Sequence, residues 1–447
     1  MDPHGPIPKI KERSWKPAPL WQVTRTSTPR SINADQNCET VIVGAGITGL
    51  SIALSLSQTQ HVVVLDAARI GEGSSGWNAG ILSVDTTIDL RTVEGAFGDD
   101  EAKALIDSLI DALAQTKQSL ALDGNTWQSG SSLYVAAKSR HRSHLVDEAT
   151  VREKYSLPTK TLSKKDLESN WRGFSAALEL GHEQGVHPVE LLLAMGKTIT
   201  EKGSDIFEDS PVESWEHVGD HFVVRCRNGS LVHAQNLVLC PGLKSSDITE
   251  SSELSKLLVP VVGHVFVTEP SEYFADLVRN GGPVALWDTL QLYHYVRYLP
   301  DGRILVGGEE TPGVVPGTVL DASDGHIQKL YQWAQDHHVH KLPAIQHCWK
   351  ASLVVPADGL PLVKFRRLQN NFLVSAVTDG LPFGMLLGIT VARCLRTGSA
   401  QPVHMLSNRR RLALAAKLLQ ALPVGDSIRG LACKAAFAVL RLWDALL

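Results

Sequence analysis

The chain has little that would tie it to a metal, a membrane or a nucleic acid. Its six cysteines, Cys38, Cys226, Cys240, Cys348, Cys394 and Cys433, are scattered, with no Cys-x-x-Cys pair. That spacing argues against a metal knuckle and against a disulfide framework, and it suits thiols in a reducing compartment. No apolar run reaches the length of a membrane span. The opening residues Met1–Lys11 are too polar and proline-rich for a signal peptide. The expected location is therefore cytoplasmic. A formal net charge of -4 gives no reason to expect nucleic acid as a partner. There is no internal repeat and no low-complexity segment. At 447 residues the chain is too long for one ordinary domain.

What it does have is a glycine motif in the right setting. Val41–Val43 reads as a buried strand, Gly44, Gly46 and Gly49 as the following turn, Leu50–Ser57 as a helix, and Val62–Leu65 as a second strand ending at Asp66. In a dinucleotide fold the first glycine allows the tight turn and the second admits the pyrophosphate to the backbone. The third lets the helix pack on the sheet. Phosphates then sit on the free N–H groups at the helix N-terminus, and the acid holds the ribose hydroxyls. Strand, helix and acid all fall where that mechanism needs them, so a dinucleotide is expected here.

Further along, Gly73–Gly80 is a Gly/Ser loop offering donors to a second part of an extended cofactor. Gly181–Pro188 leads into a helix at Val189–Thr200, followed by a strand that opens with Val212. Leu237–Gly242 reads as another buried parallel strand ending in a glycine turn. Val259–Thr268, Leu290–Leu299 and Arg303–Val306 read as antiparallel strands, with Pro300–Arg303 as a hairpin turn. A helix is expected near 324–338, a strand at Cys348–Val355, and a long helix from about Phe383, after Thr378–Gly384. Residues 1–37, with Trp15 and Trp21, read as an extended arm lying on the body. Residues 407–447 carry seven basic residues against Asp426 and Asp444, a local charge of +5 in a chain whose total is -4. This amphipathic tail is either a helical cap or a contact for an anionic membrane or a partner protein.

These motifs together resemble the FAD-dependent amine and amino-acid oxidases of the D-amino-acid oxidase fold, which include glycine, sarcosine and glutamylputrescine oxidases. The resemblance rests on Val41–Leu50, Asp66, Gly73–Gly80, Gly185–Pro188, Leu237–Gly242, Trp349 with Asp358–Pro361, and Gly380–Gly388. It implies an α/β two-domain flavoprotein, with a Rossmann-like FAD-binding domain and an inserted antiparallel-sheet substrate domain. The FAD domain is expected to be discontinuous, over 38–125, 175–250 and 345–400. The substrate domain takes 126–174 and 251–344, and the tail 401–447. FAD is expected to bind non-covalently, because the spacing of Cys348 to Asp358 does not match the covalent members.

By the same resemblance, the cofactor contacts come first from Gly44, Gly46, Ile47, Thr48, Gly49 and Asp66. The second loop adds Ser74, Ser75, Asn78, Ala79 and Gly80, and the later turns add Val212 and Gly242. The last helix adds Asp379, Gly380, Leu381, Gly384 and Met385, its positive end facing the flavin pyrimidine ring. Trp77 either walls the flavin or packs under its loop.

The inserted sheet roofs the site. Tyr293, Tyr295 and Arg297 share parity and are expected on the cavity face, with His264 and Lys350 as further catalytic candidates. No metal is expected. Two departures from the family bear on substrate and acceptor. Members that grip an α-carboxylate often have an arginine where this chain has Leu353, and sarcosine-type members have an oxygen-activating lysine where it has Leu305. The expected activity is oxidation of an amine C–N bond to an imine by hydride transfer to flavin N5. The substrate would be a secondary amine or amino-acid derivative, with reoxidation by oxygen. The alternatives are a flavin dehydrogenase serving a protein or quinone acceptor, or a tailoring oxidase of a larger biosynthetic intermediate.

Overall fold

The computed structural model describes residues 20–21, 29–84, 90–120, 122, 124, 126–242, 258–290, 292–313, 317–356, 361–368, 371–377 and 380–399. Asp358, Asp379, Trp15 and the basic tail 407–447 lie outside them.

Valine and isoleucine dominate the strands at the centre of the first sheet, as expected where a parallel sheet is covered on both faces. Five strands run parallel in the order Asn371–Val377, Leu231–Leu239, Gln36–Val43, Val62–Leu65 and Asp205–Phe207. Leu362–Leu368 adds an antiparallel edge to this sheet. Val41 pairs with Val63 on one side and Leu237 on the other. The helices Ile47–Leu56, Asp99–Ser119, Pro188–Glu201 and Leu381–Thr397 bury one apolar cluster with this sheet. Its other apolar cluster contains Val41, Val63, Phe207 and Phe222, with Val212 and Trp215 packed on it from the hairpin Val212–Val218/His221–Cys226. From Gln36–Val43 the chain crosses one way to Val62–Leu65, while Leu231–Leu239 lies on the other flank. The carboxyl ends of Gln36–Val43 and Leu231–Leu239 therefore flank a topological switch point, where open α/β sheets bind ligands.

The second sheet runs in the order Thr318–Val319, Ile345–Pro356, Leu258–Thr268, Ile304–Pro312, Tyr295–Tyr298, Ala285–Asp288, Trp127–Val135, Ala176–Val186 and Ile81–Leu82. Thr159–Ser163 also pairs with Ala176–Val186. All these pairings are antiparallel except Ala285–Asp288 with Trp127–Val135, so the sheet is mixed rather than purely antiparallel. The hairpin turn falls as expected: Leu299 N–H donates to Arg303 O, and Gly302 adopts φ +83°.

Three strands differ in sheet or length from the sequence expectation. Ala176–Val186 and Ile345–Pro356, placed from the sequence in the FAD-binding stretches, hydrogen-bond into the second sheet. Periodicity reveals a strand but not which sheet it joins. The strand expected over Leu290–Leu299 narrows to Tyr295–Tyr298.

The helices Glu272–Arg279 and Gly325–His337 cover one face of the second sheet through a cluster that includes Phe266, Phe274, Tyr298 and Leu330. The opposite face carries Val265, Val267, Leu305 and Trp349, and it meets the Gly73–Gly80 loop and Val189 of the first unit. No helix among the described residues is long and apolar enough to cross a membrane.

Candidate active site

The glycine turn has little room for any other residue. Gly44 adopts φ +107°, and a Cβ there would lie 2.2 Å from Cys240 O. On Gly49 a Cβ would lie 1.9 Å from Gly44 O. Gly46, the N-cap of the helix Ile47–Leu56, offers no side chain of its own to the amides at this N-terminus. Gly380 caps Leu381–Thr397 in the same bare way. The two helices pack side by side, with Gly384 on Ile47 and Gly388 on Ser51. Two positive helix ends therefore open beside the switch point, and both favour negative charge. Asp66, at the end of the neighbouring strand, accepts from Ala45 N–H at 2.6 Å and from Ala68 N–H at 2.9 Å.

The second loop is tied to the first. Ser75 Oγ accepts from Ile47 N–H at 3.0 Å, and Ser74 Oγ donates to Ser352 O at 2.8 Å. Asn78 closes the loop on itself. Its amide donates to Ser74 O and Ser75 O, and its side-chain oxygen accepts from Gly80 N–H. Trp349, fully buried in the second sheet, donates from Nε1 to Trp77 O at 3.1 Å.

Other expected cofactor residues are spread over the first unit. Thr48, Leu381 and Met385 are buried, the last two in the helical core of the first unit, and Gly384 is a helix-contact glycine. Val212 packs in the cluster that includes Phe222 and Val224. Gly242, at φ +54°, has no neighbour within 4 Å of where a Cβ would stand.

On the second sheet the shared parity of Tyr295 and Arg297 holds, and their face is the one carrying Leu305 and Trp349. Tyr293 lies beside Tyr295, ring centroids 6.0 Å apart. Tyr295 crosses over Gly307, where a Cβ would lie 2.1 Å from its hydroxyl oxygen. Burial, with a smaller contribution from Glu310, pushes this phenol's pKa upward.

Three further catalytic candidates are placed as follows. Arg297 is not an open fork: it is buried, and Nη1 donates to Ala79 O at 2.8 Å and to Val186 O. Burial lowers its pKa to about 9. His264 and Lys350 face the other way, because they pair with each other and alternate with Val265 and Trp349. His264 stacks on His326 of the covering helix at 4.2 Å, and its Nδ1 lies 2.9 Å from Glu309 O. Burial, then His326, lowers the pKa of His264.

The sequence reading missed the role of Trp21. This arm residue is 3% exposed, donates from Nε1 to Asn78 O at 2.8 Å, and packs with Leu305 and Trp349. It also missed His187, which caps the helix Pro188–Glu201 by accepting from Glu190 N–H. The Pro188 that follows was the available signal for that cap. Among the described residues no three or more His, Cys, Asp or Glu side chains gather as a metal site. A cavity of about 480 Å³ lined by Trp171, Arg172 and Phe174 shares none of the groups above.

The family described as FAD dependent oxidoreductase matches residues 39–394. The chain belongs to that family. Gamma-glutamylputrescine oxidoreductase of Escherichia coli (strain K12) is 28% identical to it over 392 residues, 85% of this chain and 88% of that protein. 4-Methylaminobutanoate oxidase (formaldehyde-forming) of Paenarthrobacter nicotinovorans is 25% identical over 325 residues, 71% of this chain and 36% of the relative. Glycine oxidase from Geobacillus kaustophilus shares the fold at TM-score 0.67 and 17% identity, over 81% of this chain and 95% of that one. L-Proline dehydrogenase from P. horikoshii does so at TM-score 0.67 and 15% identity, over 84% and 98%.

The residues present fit FAD. This FAD-dependent oxidoreductase has a glycine cradle at the switch point, two helix ends with glycine N-caps for a diphosphate and an electron-rich ring, and a serine loop tied to the first of them. Ile47, Gly46 and Ser75 would hold the diphosphate region, Asp66 the ribose, and the Gly380 end of the last helix the ring.

Proposed function

We propose that this FAD-dependent oxidoreductase oxidises the C–N bond of an amine to an imine, the substrate being a secondary amine or amino-acid derivative. FAD, when bound, supplies the hydride acceptor at flavin N5. The substrate carbon gives up a hydride, the nitrogen gives up its proton to solvent, and water then hydrolyses the imine to a carbonyl compound and an amine.

The observation that carries this reading is the sheet face bearing Tyr295 and Leu305, closed by Trp349 and Trp77, against the loop whose Ser75 bonds the start of the helix Ile47–Leu56. Such a wall excludes water and, by desolvation, favours the neutral amine over the ammonium ion. Tyr295 would orient the amine through its hydroxyl. Arg297 spends its Nη1 on two carbonyls, and Leu353 stands in place of the family arginine, so a simple α-amino acid lacks an evident bidentate grip. Relatives named for gamma-glutamylputrescine and 4-methylaminobutanoate support the same substrate class. We place the reaction in the cytoplasm, in keeping with the buried thiols Cys226, Cys240 and Cys348.

The test is anaerobic addition of secondary amines, polyamines and amino acids to the purified yellow protein. Bleaching by secondary amines, with release of a carbonyl product, is expected. Failure of every amine to bleach the flavin, or bleaching without carbonyl release, removes the reading.

A second reading is a dehydrogenase that passes electrons to a protein or quinone. It is favoured by one observation: Leu305 is fully buried and apolar where oxygen-using sarcosine-type members place a lysine. Slow recovery of colour on admitting air selects it, and rapid recovery selects the oxidase.

A further inference from the structure

Arg297 is a buried cation whose guanidinium lies within 4 Å of no carboxylate among the described residues. Its Nη1 donates to Ala79 O and Val186 O, which ties the Gly73–Gly80 loop to the strand Ala176–Val186. Its Nε is buried without a hydrogen-bond partner among the described residues. A guanidinium taken out of water with no counter-charge is costly unless something else is gained. The surroundings are shaped around it. A Cβ on Gly80 would lie 2.3 Å from Nη1, and one on Gly185 would lie 2.8 Å from Nη2. Trp21 covers the group, with the guanidinium carbon 5.6 Å from its ring centroid. The Trp21 ring also meets His187 edge-on at 4.8 Å. That imidazole stays neutral: burial, then the Arg297 charge, lowers its pKa to about 4.

Trp21 and Arg297 grip the same loop at adjacent residues, the tryptophan at Asn78 O and the arginine at Ala79 O. The loop in turn holds the cofactor end of the fold, because Ser75 Oγ accepts from the first amide of the helix Ile47–Leu56. Trp21 precedes the family-matched residues 39–394.

We propose that Trp21 and Arg297 form a clasp that sets the path of the Gly73–Gly80 loop for FAD, so that cofactor retention depends on the arm preceding the family domain. Both are positioning residues, acting through the loop backbone. Trp21 covers Arg297 and shields it from water, and cation–π attraction replaces part of the lost hydration. The clasp is independent of which substrate the enzyme takes, so its failure and that of the amine-oxidation reading are separately visible.

The test is titration of FAD into flavin-stripped full-chain protein, with thermal midpoints read for the stripped and loaded forms. If the loop without its clasp takes the binding-competent shape only about a tenth of the time, Trp21→Ala and Arg297→Met each raise the FAD Kd about tenfold. The double variant is then expected to be no weaker than the weaker single variant, because the two residues act as one unit. Loaded midpoints should fall further than stripped ones. Trp21→Phe, which keeps a ring but loses the N–H, and Arg297→Lys, which keeps the charge but loses the fork, should fall between. Equal falls in both midpoints with an unchanged Kd would overturn the proposal, as would effects that simply add. If Arg297→Met does not fold, Trp21→Phe and Arg297→Lys carry the same test.

Discussion

Gly384 rests on Ile47 so closely that a Cβ on the glycine would stand 2.6 Å from Ile47 Cγ2. The contact brings the starts of two helices together, and both starts have glycine as the N-cap. Gly384→Ala should push the helices apart and cost about 1–3 kcal/mol of stability, as overpacking does. The loss should appear both as a lower thermal midpoint and as weaker FAD binding, since the helix ends lose their common aim. A variant with native midpoint and native FAD affinity would contradict the packing account.

Gly44 poses a different constraint, since its φ of +107° and the 2.2 Å approach to Cys240 O leave no relaxed place for a side chain. Strain of this kind costs on the order of 1–3 kcal/mol before the clash is counted. Gly44→Ala should purify colourless or fail to accumulate. The ratio of flavin to protein absorbance checks it, and a yellow variant of normal ratio would refute it.

His338 gives the fold a dependence on pH. It sits in a buried chain in which Trp171 Nε1 donates to Tyr298 OH, whose hydroxyl pairs with His338 Nε2, while Nδ1 pairs with Ala334 O. Burial lowers its pKa to about 4 from an ordinary 6.5. The depressed value means that the unfolded chain takes up a proton between these limits and the folded chain does not. Stability is therefore unaffected above about pH 6.5 and falls as pH drops toward 4, by at most about 3 kcal/mol from this residue. Urea midpoints across that window should fall with acid, and less steeply in His338→Gln. An equal slope in the variant would assign the acid sensitivity elsewhere.

Tyr295 should not serve as a base, because burial and Glu310 keep its phenol protonated. The rate of flavin reduction should rise with pH as the substrate amine loses its own proton. That rising limb should persist in Tyr295→Phe, with the change falling on KM. Stopped-flow reduction of both proteins across pH decides this, and loss of the limb in the variant would make Tyr295 the titrating group.

The local parts could be read from the residues alone. The strand, glycine turn, helix and acid around Gly44–Asp66 were legible because each glycine answers a constraint within a few residues of itself, as with Gly49 against Gly44 O. The shared parity of Tyr295 and Arg297 was legible too, since alternation is a property of any strand. Tertiary structure alone decided what those faces meet. The strand pairing of His264 with Lys350, eighty-six positions later, turned both toward the covering helix. The grip of Arg297 on Ala79 spans 218 positions, and that of Trp21 on Asn78 spans 57. Spacing in the chain carries no trace of such contacts, because they are set by how two sheets dock. Burial and backbone carbonyls, rather than any motif, made a clasp of a tryptophan and an arginine.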